Sequence, residues 1–123
     1  MISVIIPALN EEKTVGQVVQ LALNTTGVTE VIVVDDKSLD NTVEEAKRAG
    51  ATVITSTKLG KGASMKDGVL CAGNEVLVFL DADITTYPED VITVLANPLL
   101  EDKADFCKSY FSRQAGRVTE LVA

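Results

Sequence analysis

The chain has 123 residues, enough for one domain and too few for two. Hydrophobic residues make up 46% and charged residues 24%, a globular balance that excludes disorder; no apolar stretch reaches the roughly 20 residues of a membrane span. Eleven basic against eighteen acidic residues leave a net charge of −7, which argues against nucleic acid and anionic membranes as partners.

Strand and helix signals alternate from the start. Ile2 to Pro7 is a short apolar run ending in a breaker, and it predicts the first strand. Val15, Val18, Val19 and Ala22 fall at i, i+3, i+4 and i+7, the spacing of a buried helix face, with Asn10 or Thr14 as N-cap. Glu30 to Asp35 is rich in β-branched residues and predicts the second strand. Asn41 and Glu44 form a capping pair for a second helix, which Gly50 closes. Ala51 to Thr55 reads as the third strand. Met65, Val69 and Ala72 predict the inward face of a third helix, closed by Gly73-Asn74. Glu75 to Asp81 is the fourth strand, and Pro88 fits the first turn of a fourth helix with Val91, Ile92 and Leu95 inward. After Asn97-Pro98, Ala104 to Tyr110 reads as a fifth strand. Continuous apolar runs mark strands covered on both faces. The expectation is a single doubly wound α/β domain over residues 1–123, with a mostly parallel sheet and helices on both faces.

In such a sheet, ligands sit beyond the carboxyl ends of the strands. Four clusters occupy those ends: Pro7-Ala8-Leu9-Asn10-Glu11-Glu12, Asp35-Asp36-Lys37-Ser38, Gly60-Lys61-Gly62 and Asp81-Ala82-Asp83. The last is a carboxylate pair able to hold Mg²⁺ or Mn²⁺ bridged to phosphate, or a pair of solvated loop acids. Asp35-Asp36 suits a base edge or ribose hydroxyl, and equally suits a turn. Gly60-Lys61-Gly62 combines a cation with a helix start, which fits a diphosphate, or is a glycine loop with a surface lysine. The first loop has no glycine, so a dinucleotide fingerprint is excluded. Lys103, Lys108, Arg113 and Arg117 face only Asp105 and Glu120 in the tail, as an anion-binding patch or a solvated face.

The chain has no histidine, which removes Ser-His-Asp and Cys-His catalysis and every His-ligated metal site. Cys71 and Cys107 stand far apart and predict two reduced core thiols. The first residues lack the basic flank of a signal peptide, and a cytoplasmic protein is expected.

Taken together, these clusters resemble a GT-A fold (Rossmann-like) nucleotide-sugar glycosyltransferase. Val4-Ile5-Ile6-Pro7-Ala8-Leu9-Asn10-Glu11-Glu12 is similar to that superfamily's first strand and loop, Asp35 to Thr42 to its second, and Asp81-Ala82-Asp83 to its D-x-D. Gly60-Lys61-Gly62 and Gly116-Arg117-Val118-Thr119-Glu120-Leu121 narrow the resemblance to glucosyl-3-phosphoglycerate synthases. That resemblance implies transfer of glucose from UDP-glucose to 3-phosphoglycerate, with retention and with Mg²⁺ or Mn²⁺. Pro7, Ala8, Leu9 and Glu11 would cradle the uracil and ribose, and Asp36 would stand where the base is contacted. Lys61 would meet the diphosphate or sugar. Asp81, Ala82 and Asp83 would bind sugar, ribose and metal, with Asp83 the direct ligand and Asp81 beside it. Lys61 and Asp83 are thus the expected catalytic residues. Gly116, Arg117 and Thr119 would receive the phosphate and carboxylate of the acceptor. Family members continue past this run and supply a metal-ligating histidine. The implied object is therefore the nucleotide-binding portion of a longer enzyme, incomplete at its C-terminus, binding donor with little or no transfer alone. An uncovered sheet edge and the apolar Leu121-Val122-Ala123 lead to the expectation of a homo-oligomer.

The alternative is a phospho-receiver domain using Asp36 and Asp81, whose separation is close to receiver spacing, with Lys108 near a fifth strand. Against it, receivers carry their acid pair after the first strand. Here a complete strand-helix unit comes earlier.

Overall fold

The computed structural model describes residues 1–100, 107–112 and 117–122, the last two segments as backbone strands. Its elements run β1 (Ile2–Ala8), α1 (Val15–Leu23), β2 (Val28–Asp35), α2 (Thr42–Ala49), β3 (Thr52–Thr55), α3 (Lys61–Cys71), β4 (Val76–Phe79), α4 (Val91–Leu100), β5 (Cys107–Ser112) and β6 (Arg117–Val122). The first four strands form one parallel sheet in the order β3-β2-β1-β4. Helices lie on both faces, as the apolar runs predict. α1, α2 and α4 share a core with Val4, Ile6, Val31, Val33 and Val78 on one face. On the other, α3 packs over Ile5, Ile32 and Val34.

The strand order positions the site. Two strands, β2 and then β3, step outward from β1, and the chain then returns to place β4 on the other side of β1. This reversal opens a crevice at the carboxyl ends of β1 and β4, where open α/β sheets bind ligands. A receiver-type sheet instead puts its third strand beside its first. The order observed here does not.

Local physics accounts for the elements. Val15, Val18, Val19 and Ala22 are all at most 1% exposed, and burying each valine contributes roughly 1.5–3 kcal/mol. Gly50 ends α2 at φ 109°, a left-handed conformation that a side chain would strain. Thr14 is the N-cap residue of α1, but its hydroxyl donates to the Ala82 carbonyl at 2.7 Å and not to the helix. Asn41 likewise makes no side-chain cap; the Asp40 carboxylate takes the Thr42 N–H at 3.0 Å. Pro88 lies ahead of α4, its carbonyl accepting the Val91 N–H at 3.1 Å, and the helix runs through Pro98.

Beyond these caps and Pro88, which lies outside the first turn of α4, further expectations need correction. The inward face of α3 is Ser64 and Gly68, with Ala72 after them packed against Ile5, Ile32 and Val34 as expected; Val69 is 42% exposed, and Met65 is half-buried. Small residues face the sheet because the helix axis approaches it closely, which apolar periodicity does not reveal. Cys71 is exposed and is no core thiol, while Cys107 lies in β5, whose backbone alone is described. The fifth strand is described over Cys107–Ser112, with residues 104–106 of the expected run outside the described residues, and it stands in a separate sheet and not in the parallel one. It pairs antiparallel with β6, from Cys107 opposite Val122 to Ser112 opposite Arg117.

At the amino ends of the strands, Glu30 gathers separate elements. Its carboxylate accepts the Gly73 N–H at 2.8 Å and the Ser3 hydroxyl at 2.7 Å, while Asn74 Nδ2 donates to Ser3 and Thr29. The Gly73 N–H and then the Ser3 hydroxyl hold the Glu30 carboxyl below its ordinary value of 4.5. A lowered folded value means the unfolded chain binds the proton more readily, so this contribution is full above about pH 4.5 and fades as pH falls through the folded value. Glu30→Gln, which keeps the acceptor but not the titration, should flatten the acid limb of stability below pH 4.5. Denaturant melts of both proteins at neutral and acid pH would test this; parallel losses would refute it.

Candidate functional site

Two loops at the carboxyl ends of β1 and β2 are fastened to each other before any ligand is considered. Asn10, at φ 54°, donates its N–H to Ser38 Oγ at 2.9 Å and accepts the Leu39 N–H at 2.8 Å. The Glu11 N–H donates to Thr42 Oγ1 at 2.9 Å, and the Glu12 carboxylate accepts the Asn41 N–H at 3.1 Å. Asp35 and Asp36 divide two roles that composition alone left open. Asp35 caps the turn by accepting the Ser38 N–H, at 3.2 Å to the nearer oxygen. Asp36 turns toward α3, where its Oδ2 accepts the Gly60 N–H at 2.9 Å.

Gly60 sits at φ 107° with its N–H on Asp36, so a side chain there would be strained. From this turn α3 starts at Lys61, and the first backbone bond back to it is Ser64 N–H to the Gly60 carbonyl at 3.1 Å. The N–H groups of the first turn therefore have no partner within the helix and favour an anion.

The four clusters meet around one cleft of about 280 Å³, lined by Pro7, Ala8, Leu9, Glu11, Asp36, Gly60, Lys61, Ser64, Asp81, Ala82 and Asp83. Every residue expected at the donor and metal positions lies on its wall. Sequence reasoning did not single out Ser64, and named Gly60 only as part of its triplet. Ser64 becomes visible once the register of α3 is known. Of the residues expected at the acceptor, Arg117 and Thr119 belong to β6, and Gly116 lies outside the described residues.

Negative charge dominates the cleft. Lys61 is bonded to the Asp81 carboxylate, and the Asp81 N–H donates to Tyr87 Oη at 2.9 Å. Burial, with Asp81 and Asp83 nearby, pushes the Tyr87 hydroxyl up to about 12, so it stays protonated. Asp83 is exposed and has no ion pair among the described residues. Desolvation, and then the Asp83 charge, raise the Glu11 carboxyl above its ordinary value. Among the described residues, no three His, Cys, Asp or Glu side chains converge as a ready metal cage. Two carboxylates on one turn do fit a hard cation that completes its shell with phosphate oxygens and water. Among the described residues, two buried side-chain oxygens lack partners, Asp36 Oδ1 and Ser64 Oγ, and both residues line the cleft. The arrangement can take a ligand with an anionic end near Lys61 and a hydrogen-bonding end near Asp36.

Comparison with known proteins gives the same picture. The chain is 33% identical over 144 aligned residues to a glucosyl-3-phosphoglycerate synthase of Mycolicibacterium smegmatis, covering 99% of this chain and 48% of that protein. It is 35% identical over 102 residues to a 4,4'-diaponeurosporenoate glycosyltransferase of Staphylococcus aureus, covering 78% of this chain and 27% of that one. Among solved structures, glucosyl-3-phosphoglycerate synthase of M. tuberculosis superposes with a TM-score of 0.83 at 29% identity, over 94% of this chain and 46% of that chain. A complex of the enzyme from Mycobacterium tuberculosis with Mn²⁺, UDP-glucose and phosphoglyceric acid superposes at 0.76 and 31% identity, over 81% of this chain and 39% of that chain. The chain thus spans about half the length of the synthases it matches. The family profile described as glycosyl transferase family 2 matches residues 3–120. With strand order and chain-wide similarity in agreement, the receiver alternative falls, and the chain belongs to glycosyl transferase family 2.

Proposed function

We propose that residues 1–123 form the nucleotide-sugar-binding domain of a glucosyl-3-phosphoglycerate synthase, binding UDP-glucose with Mg²⁺ or Mn²⁺ for transfer to 3-phosphoglycerate. The observation that carries this reading is the single cleft in which all four strand-end clusters meet, with Lys61 at one part and the unpartnered Asp36 Oδ1 at another. Pro7, Ala8, Leu9, Glu11 and Asp36 hold the nucleoside. Lys61 faces the diphosphate, and Asp81, Ala82 and Asp83 hold the sugar side and the cation. In transfer, the bond from the anomeric carbon to the diphosphate oxygen breaks with its electron pair going to that oxygen, a bond to the acceptor hydroxyl oxygen forms, and the hydroxyl proton passes to the departing diphosphate. The cation, when bound, supplies positive charge to the departing diphosphate. Lys61 exchanges its Asp81 partner for the same developing charge. Arg117 and Thr119, with Gly116 between β5 and β6 in sequence, are assigned to the phosphorylated acceptor; a guanidinium makes two parallel bonds to such an oxyanion. The chain alone binds donor and transfers little. Among the described residues, the outer edge of β4 has no partner in the four-stranded sheet, which supports self-association. No helix of the described residues is long and apolar enough to cross a membrane.

Titrating the chain with UDP, UDP-glucose and GDP-mannose, each with Mn²⁺ and with EDTA, tests the reading. The uridine ligands should bind with the metal and GDP-mannose should not. Preference for GDP-mannose would overturn it.

A further inference from the structure

We infer that Ser64 is a specificity-determining contact for the nucleoside half of the ligand, its hydroxyl donating to a base carbonyl beside the N–H received by Asp36. The inference rests on the nucleotide-binding reading above and adds a residue to it. Ser64 is 1% exposed, and its Oγ has no partner although the Gly60 carbonyl, four residues back, is where a helical serine ordinarily bonds. A buried hydroxyl without a partner destabilises the fold and calls for an explanation. Ser64 lines the cleft, and a serine changes χ1 rotamer at little cost, so the hydroxyl can turn to a ligand atom there.

Its neighbours say which half of the ligand that is. The Gly60 N–H is held by Asp36 Oδ2 and the Gly60 carbonyl by the Ser64 N–H, so a single residue links Asp36 to Ser64. One turn further along α3, Gly68 sits against Ile5 and Val34, which places this helix face over β1 and β2, beside the strand end that carries Asp36. Asp36 is 8% exposed, and its second oxygen also lacks a partner. Lys61, the cation that suits the diphosphate, is paired with Asp81 and not with Asp36, so the free Asp36 oxygen suits an N–H or O–H of the nucleoside half. An acceptor and a donor on one wall of the cleft, linked through Gly60, match an imide edge, where N–H and C=O alternate as in uracil.

The test uses Ser64→Ala and two probes, UDP with Mn²⁺ and inorganic pyrophosphate with Mn²⁺, titrated calorimetrically into the 123-residue chain. UDP should bind about five- to tenfold more weakly to the variant, the scale of one neutral hydrogen bond, while pyrophosphate binding is unchanged. Without ligand the variant should melt higher than the parent, because an unpartnered buried hydroxyl is gone. Equal UDP affinity in the two proteins would overturn the inference. A matching loss for pyrophosphate would also overturn it, by placing Ser64 at the diphosphate end. If the parent itself binds pyrophosphate but gains nothing from the nucleoside, the nucleotide reading fails first, and this assignment with it.

Discussion

Asp83→Ala is expected to remove the metal-dependent part of UDP binding, weakening it about 10- to 100-fold with Mn²⁺ present and leaving the EDTA value unchanged. The two acids of the β4 turn are not equivalent in this fold. Asp81 is already committed, its carboxylate to Lys61 and its N–H to Tyr87. Asp83 is exposed, and its charge falls on another acid, Glu11. A carboxylate in that position gains the most from a divalent cation. A lost charge-assisted contact is worth roughly 1.5–3 kcal/mol, which gives the stated range. The same substitution relieves repulsion in the free protein and should let the Glu11 carboxyl titrate lower. Thermal shifts with UDP and Mn²⁺ against UDP and EDTA provide the measurement, since stabilisation follows ligand excess over Kd. Equal shifts in the parent under the two conditions would defeat the expectation.

Gly68→Ala should cause the largest loss of stability from a single methyl group. An added Cβ would stand 2.4 Å from Ile5 Cγ2 and 3.3 Å from Val34 Cγ2. Both neighbours are fully buried, so neither can swing aside into solvent. Alanine gains roughly 1 kcal/mol of helix propensity over glycine, whereas overpacking costs typically 1–3 kcal/mol and more at such a contact. Overpacking wins, with a net loss of about 2 kcal/mol and a drop of roughly 8 °C in melting temperature. Gly62→Ala is the control, because nothing lies within 4 Å of its added Cβ and the propensity gain acts alone. The Gly68 variant should also bind UDP more weakly, since pushing α3 off the sheet moves Lys61 and Ser64 with it. An unchanged melting temperature would mean that α3 does not seat on Ile5 and Val34.

Much of the architecture and of the cleft was legible in the residues. Apolar runs and the 3.6-residue spacing of Val15, Val18, Val19 and Ala22 encode element type through burial, which is a local property of the chain. The strand-end clusters were legible because a parallel sheet sends all its carboxyl ends to one edge, so Asp36, Lys61 and Asp83 fall on that edge, and the strand order then gathers them at one cleft. The order β3-β2-β1-β4 itself was not legible, as it depends on which edges pair across the whole chain. It is also what separates this fold from a receiver.

Tertiary structure alone decided the finer assignments. Periodicity selects the apolar residues Met65 and Val69 for the inward face of α3, yet Ser64 and Gly68 occupy it. Apolar spacing records hydrophobicity and not the distance between helix and sheet, and a close approach selects residues with little or no side chain. The division of Asp35 and Asp36 between turn and cleft, the bond from Asp81 to Tyr87, and the tie from Thr14 to Ala82 depend on partners brought together only by folding. The unpartnered oxygens of Asp36 and Ser64 are tertiary facts in the same sense, because a hydrogen-bonding group lacks a partner only once the surrounding fold has removed water and offered nothing in its place.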